Sequence, residues 1–161
     1  MRHFDSKNQL KADNKELALH VKRFSELTTE ELYELLKMRQ DVFVLEQQCL
    51  YADIDGMDKA AIHIWLEDES GPVAYLRLLD RGVESEYVSI GRVLTRIRGI
   101  GLGHQILQKG IQIAVEEYQA DVIYLEAQAY IKEMYESHGF RSVSEEFDLD
   151  GIPHVKMIKT L

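Results

Sequence analysis

Two hydrophobic periods alternate along this 161-residue chain, and the switches between them mark out its elements. Residues 17–24, LALHVKRF, alternate weakly and read as a first strand. Thr28 stands three residues before Glu31, the spacing of a capping box that opens a helix. Leu32, Leu35, Leu36, Val42 and Phe43 follow at helical spacing and predict a helix to about Glu46. Asp53 to Asp58, DIDGMD, has the composition of a turn-rich loop. Residues 61–67 alternate as a strand with His63 and Trp65 on one face, and Gly71-Pro72 turns the chain into a second strand, VAYLRLL. A strand is predicted over 87–95, a helix over about 102–119, a strand over 122–128 and a short helix from about Ile131 to His138. Two last strands, about 141–148 and 154–160, meet at Asp150-Gly151, a hairpin signal.

The order is a hairpin meander, then strand–loop–helix–strand–helix, then another hairpin. A strand–helix–strand unit needs parallel strands and hairpins need antiparallel ones. The expected class is therefore α+β, a mixed sheet with helices packed on it. No repeat or linker divides the sequence, and its length suits one domain. The polar start, MRHFDSKNQLKADNKE, predicts a flexible extension over residues 1–14 and a single domain over 15–161.

Charge and composition narrow the function. A net charge of −9 argues against a nucleic-acid binder, which needs a basic face. No apolar run approaches the roughly 18 residues of a membrane span. The lone Cys49 permits no internal disulfide and reads as a small buried hydrophobe. With no apolar leader at the start, it predicts a cytoplasmic setting. A symmetric homodimer is an expectation from general frequency alone.

The most specific stretch is RIRGIGLGHQIL, Arg96 to Leu107. A dinucleotide fingerprint fails, because His104 and Ile106 stand where its last glycine belongs. A P-loop fails too, because His104-Gln105 follow Gly103 in place of Lys and Ser/Thr. The pattern R-x-x-G-x-G is met by Arg98, Gly101 and Gly103, between the strand ending at Thr95 and the helix beginning near Leu102. A glycine turn lets backbone N–H groups approach a phosphate, and the helix start adds unsatisfied N–H groups and the positive end of its dipole. Arg98 adds a charged donor. Together these suit a pyrophosphate; the plainer reading is a tight strand-to-helix joint.

These residues resemble the GNAT superfamily, the Gcn5-related N-acetyltransferases, whose acetyl-coenzyme A (acetyl-CoA) loop has this Q/R-x-x-G-x-G/A form. MYESHGF, Met134 to Phe140, resembles the family's short final helix, F-Y-x-x-x-G-F, with Tyr135 on its recurring tyrosine. Gly91, inside a strand, suggests a bulge of the kind the family's splayed central strand carries. VFVLEQQCLYADIDGMD at 42–58, AQAY at 127–130 and DGIPHVKM at 150–157 are similar to the ElaA-like branch. Gln47 and Gln48 and the polar start depart from it. The resemblance implies a twisted, mostly antiparallel sheet with a central parallel pair that splays. It implies that Val93 and the backbone of Leu94 and Thr95 hold the pantetheine arm. Arg98, Gly99, Ile100, Gly101, Leu102 and Gly103 would hold the pyrophosphate, with Tyr135 also at the cofactor. It implies acetyl-CoA as co-substrate, no metal, and an amine of a small molecule or peptide as acceptor.

Acetyl transfer to an amine needs no enzyme nucleophile. A lysine-type amine, with a pKa of about 10.4, must lose a proton, and a thiolate with a pKa of about 8.5 must leave. Tyr135 is the candidate general acid; its plain reading is packing of the short helix. Glu46, His63 and Glu126 are base candidates, each with a bland reading: a helix-end charge, a hydrogen-bonded sheet histidine and a solvated strand face. Arg77 and Arg92 are odd residues within apolar strands, read as ligand contacts or as ion pairs. Asp53, Asp55 and Asp58 fail as a calcium loop and read as turn and surface acids that can line an amine site. His154 carries no assigned role. The alternative from another class is a non-catalytic acyl-CoA sensor, which needs the loop but not Tyr135.

Overall fold

The computed structural model describes residues 9–12, 15–49 and 52–161. The alternating segments form strands β1 (Gln9–Ala12), β2 (Lys15–Arg23), β3 (Ile62–Asp68), β4 (Gly71–Leu79) and β5 (Val88–Thr95). β6 (Val122–Gln128), β7 (Arg141–Ser142), β8 (Phe147–Leu149) and β9 (Ile152–Thr160) follow. They make one sheet in the order β1-β2-β3-β4-β5-β6-β9-β7, with β8 also on β9. All neighbours are antiparallel except β5 and β6, the pair bridged by a helix. Within the extension expected to be flexible, β1 pairs with β2; residues 1–8 and 13–14 lie outside the described residues.

Thr28 caps α1 (Thr29–Arg39) as its spacing predicts: Thr28 Oγ1 accepts from Glu31 N at 3.0 Å, and Glu31 Oε1 accepts from Thr28 N at 2.9 Å. The predicted helix to Glu46 changes character on the way, because Gln40–Glu46 winds as a π-helix. Leu35, Met38, Val42 and Phe43 bury one face of this double element against Trp65, Tyr75 and Leu94 of the sheet. The opposite face of the sheet, with Ile64, Leu76, Leu78 and Ile90, packs on Ile106, Leu107, Ile113 and Ala114 of α2 (Leu102–Tyr118). Both faces are covered, which is why β4 is buried along nearly all its length. Gly110 allows α2 to lie close: a Cβ there would meet Leu76 Cδ2 at 2.6 Å.

The short helix predicted over 131–138 is a 3₁₀ turn, Ala129–Ile131, running into α3 (Lys132–Glu136). The strand predicted over 141–148 is two pieces, β7 and β8, on one partner. Asp150 and Gly151 both take positive φ, 51° and 85°, as a two-residue hairpin turn requires. Among the described residues no helix is long and apolar enough to cross a membrane.

Two irregularities of β5 create the site. It pairs with β6 only at Val88–Ile123 and Ser89–Tyr124, after which the parallel strands part. Against β4 its register slips by one residue, from Arg77–Gly91 to Tyr75–Leu94, and Arg92 adopts φ 54°. Strict alternation would put Leu94 on the Ile90 face. The inserted residue moves it to the other, so Ile90 packs with α2 and Leu94 with α1.

Candidate active site

A cavity of about 300 Å³ fills the V between the parted strands. Ile90, Gly91, Arg92 and Val93 line one wall and Leu125, Glu126 and Gln128 the other. Phe43 and Gln47, from the π-helical turn, and Tyr135, Leu149 and His154 close it. Val93, expected at the pantetheine arm, therefore faces the cavity. Leu94 turns its side chain into the α1 core, leaving only its backbone to serve, and Thr95 is half-buried.

Past the end of β5 the glycine loop runs into α2. Gly99 and Gly101 take φ of 82° and 80°, which β-carbon-bearing residues disfavour, and nothing lies within 4 Å of a Cβ at either. Gly101 is the N-cap, and no side chain caps the helix. Its first intrahelical bond runs from Gln105 N to Gly101 O, so the N–H groups of Leu102, Gly103 and His104 have no helical acceptor. Leu102 offers only that N–H, since its side chain is buried in the core, where the half-buried Ile100 also packs. An open helix start beside empty space fits a phosphate. Arg98, beside it, pairs with Glu46 across the mouth.

Tyr135 is buried edge-on against Phe140, with ring centroids 6.1 Å apart, and its side chain reaches the cavity. Burial, with a smaller effect of Tyr130, pushes its hydroxyl pKa well above the ordinary phenol value. Its hydroxyl has no hydrogen-bond partner among the described residues.

The base candidates separate. Glu126 lines the cavity, and its Oε1 accepts from Tyr124 OH at 2.9 Å. Glu46 ends the π-helix in its ion pair with Arg98 and does not line the cavity. His63 is corrected by the packing. It is 1% exposed, its Nδ1 lies 2.7 Å from Tyr75 OH and its Nε2 2.9 Å from Asp58 O, so neither nitrogen is open to a substrate. Burial holds its pKa below the usual histidine value.

The three aspartates of DIDGMD are likewise corrected. They are not surface acids but half of a largely buried lattice with Arg39, Arg77 and Arg92, from which Asp55 also lines the cavity. Arg39 reaches Asp53 at 3.1 Å and Asp58 at 2.7 Å, and Arg77 holds Asp55 and lies 3.0 Å from Asp58. Arg92, redirected by the bulge, ion-pairs with Asp53 at 2.9 Å and donates to Asp53 O at 3.0 Å and to Asp55 Oδ2 at 3.2 Å. Burial opposes ionisation of Asp55, but bonds from Arg77 and Met57 N and the charges of Arg77 and Arg92 outweigh it and bring its pKa to about 2. Three cations and three anions cancel, so the odd arginines are ion-pair partners.

The cavity-lining carboxylates left without an arginine are Asp150, Glu126 and Glu84, the last in the β4–β5 connection, where no periodic signal marks it. Desolvation raises the pKa of Glu84, Arg77 opposes this, and Glu126 adds to it. Gln47, Gln128 and His154 also line the cavity; Gln128 Nε2 donates to Gln47 Oε1 at 3.0 Å, and His154 Nδ1 lies 2.8 Å from Ile152 O.

Known proteins resemble this chain in sequence and fold. Residues 23–161 match the family model described as the acetyltransferase (GNAT) domain. Protein ElaA of Escherichia coli is 41% identical over 141 residues, covering 84% of this chain and 91% of that protein. A UPF0039 protein of Synechocystis is 40% identical over 139 residues, covering 84% of this chain and 90% of that protein. The crystal structure of an acyl-CoA N-acyltransferase from Pseudomonas aeruginosa aligns with a TM-score of 0.84 at 37% identity, covering 89% of this chain and 99% of that one. That of Escherichia coli ElaA aligns with a TM-score of 0.83, also at 37% identity and over the same shares. The splayed β5–β6 pair, the mixed sheet and the glycine loop are the GNAT acyltransferase fold, and this chain belongs to the GNAT superfamily, in the branch that includes ElaA and the UPF0039 proteins.

Proposed function

We propose that this protein moves an acetyl group from acetyl-CoA to a primary amine of a small molecule or peptide, by direct attack of the amine on the thioester. Membership in the superfamily carries acyl-CoA-dependent acyltransferase chemistry. The observation that supports the finer reading is the V itself. An open helix start lies beyond its cofactor end, and an unpartnered tyrosine hydroxyl and three carboxylates with no arginine ion pair, Glu84, Glu126 and Asp150, line the cavity.

In this reading the first-turn N–H groups of α2 and Arg98 hold the pyrophosphate, and the backbone of β5 beyond Ser89, freed of β6, hydrogen-bonds the pantetheine amides. A β5 N–H there also takes the carbonyl oxygen as it gains negative charge. The acceptor ammonium is drawn between Glu84 and Glu126, and Glu126 takes its proton. The amine nitrogen then bonds to the carbonyl carbon, the C–S bond breaks, Tyr135 donates to the departing sulfur, and the second proton shed by the nitrogen as it becomes an amide restores the tyrosine. Its raised pKa keeps Tyr135 protonated, so a donor is present across the physiological range. The setting we infer is the cytoplasm, in keeping with the lone, buried Cys49.

The test is thiol release from acetyl-CoA with a panel of primary amines, diamines and peptides with free amino termini. Release that depends on an amine is expected. Coenzyme binding with no amine-dependent release from any of them overturns the reading in favour of a sensor.

A further inference from the structure

Acyl transfer makes no use of His104 and His138, which touch each other beside the glycine loop. His104 is the third residue of α2, and His138 lies just beyond α3. His104 Nδ1 is 2.9 Å from His138 Nε2, with ring centroids 5.1 Å apart. At that distance one proton sits between the two nitrogens, since two lone pairs or two N–H groups would repel.

That constraint fixes what the pair can offer. In the neutral pair the donor ring has a bare outer nitrogen, while the other ring carries an outer N–H. One added proton goes to the bare nitrogen. Both outer nitrogens, His104 Nε2 and His138 Nδ1, then carry N–H groups, and neither has a partner among the described residues. A second added proton would have to break the inner bond. The monocation is thus a two-pronged donor with a charge-assisted hydrogen bond at its base.

Its surroundings favour an anion. A helical Cβ tilts toward the N-terminus, so the His104 ring leans toward the open, positive end of α2. The two helices meet there, with Met134 Cε 4.0 Å from a Cβ built on Gly103. From β9, Lys159 Nζ donates to His138 O at 2.7 Å. The acids of α3, Glu133 and Glu136, are exposed, and neither ion-pairs with the imidazoles among the described residues. Desolvation, His104 and Lys159 hold the His138 pKa below its usual value. A metal has less support, because among the described residues no three metal-capable side chains cluster.

We propose that His104 and His138 form a second phosphate-binding element, which takes up one proton and holds a phosphate group of the coenzyme on two outward N–H groups. This rests on the reading that the glycine loop holds acyl-CoA.

Isothermal titration of coenzyme A, in buffers of different ionisation enthalpy between pH 6 and pH 8, tests it on the wild type, the single variant H104Q and the double variant H104Q/H138Q. The wild type is expected to take up about half a proton more than the double variant near pH 7. Its affinity is expected to fall with rising pH by several-fold more. Comparing the proteins cancels the coenzyme's own phosphate titration near pH 6. If the difference vanishes with dephospho-coenzyme A, the dyad holds the 3′-phosphate; if it persists, it holds the pyrophosphate. Equal proton uptake and equal pH dependence in all three proteins would overturn the dyad while leaving the loop intact. Failure of every protein to bind coenzyme A at any pH would overturn the underlying reading as well.

Discussion

Glu46 and Arg98 hold each other across the mouth of the cofactor groove, with Glu46 Oε1 2.5 Å from Arg98 Nη2. One ends the π-helix and the other begins the glycine loop, so the contact joins two elements a pyrophosphate would have to enter between. Both side chains are about half exposed, and pairs of that kind contribute little to stability. On the proposed reading, Glu46 competes with phosphate for Arg98 and is not the base. Glu46→Gln should tighten coenzyme A by about two- to fivefold, by removing a competing anion. Arg98→Ala should weaken it by about tenfold, less at high salt. Titration calorimetry at two ionic strengths reads both. A loss of kcat of about a hundredfold in Glu46→Gln would instead reinstate it as the base.

Tyr135 and Glu126 occupy the cavity together, and their effects should separate from binding. Tyr135→Phe keeps the ring against Phe140 and removes only the hydroxyl. It should lower kcat by about a hundredfold, with KM for acetyl-CoA nearly unchanged. Glu126→Gln should lower kcat by about tenfold to a hundredfold and flatten the acidic limb of the pH–rate profile. Steady-state thiol release over a pH series measures both; an unaltered kcat in Tyr135→Phe would leave it a packing residue.

The bulge is held by charge. Arg92 keeps its left-handed backbone while its side chain is bonded to Asp53 and Asp55, and Asp58 ties Arg39 to Arg77 below. Asp58→Asn leaves two buried guanidinium groups short of an anion, and should cost about 3 kcal/mol in denaturant unfolding. Because the same lattice fixes Gly91 and Arg92 at the cavity wall, the variant should also lose acyl transfer. A cost within the noise of a surface substitution would mean the lattice is not what sets the bulge.

Stability should fall in acid in two stages. His63 stays neutral in the fold, its pKa held below 6.5, while the unfolded chain gains a proton there, so stability declines as pH drops below about 6.5. Asp55, with a pKa of about 2 against 3.8 when free, and Asp58, also lowered, contribute fully above the unfolded value. That contribution is lost as pH falls from about 4 toward 2. Thermal melting from pH 8 to pH 2.5 should show both declines, and Asp55→Asn should shrink only the lower one.

Much of this was legible locally. Hydrophobic period located β3, β4, β6 and α2 to within one or two residues, and Asp150-Gly151 named its own turn. The loop could be read because its chemistry is contiguous, from Arg98 to Gly103. The ion lattice could not be read, because Asp53, Asp55 and Asp58 sit in a stretch of turn composition. Their partners Arg39, Arg77 and Arg92 arrive from one helix and two strands, 14 to 39 residues away along the chain. Gly91 betrayed the bulge, but only the β4 register shows that the slip sends Leu94 to the α1 face. Glu84 has no pattern to mark it, since it stands in a connection and meets Glu126 only through the tertiary fold.

Thermal melting with saturating acetyl-CoA, coenzyme A, NAD and ATP side by side tests the central claim most directly. A ligand that binds only the folded state at about 100 times its Kd stabilises it by about 2.7 kcal/mol, a shift of several degrees. The account predicts a raised midpoint with acetyl-CoA and coenzyme A and none with NAD or ATP. No rise with either coenzyme, or a rise with NAD or ATP alone, would contradict it.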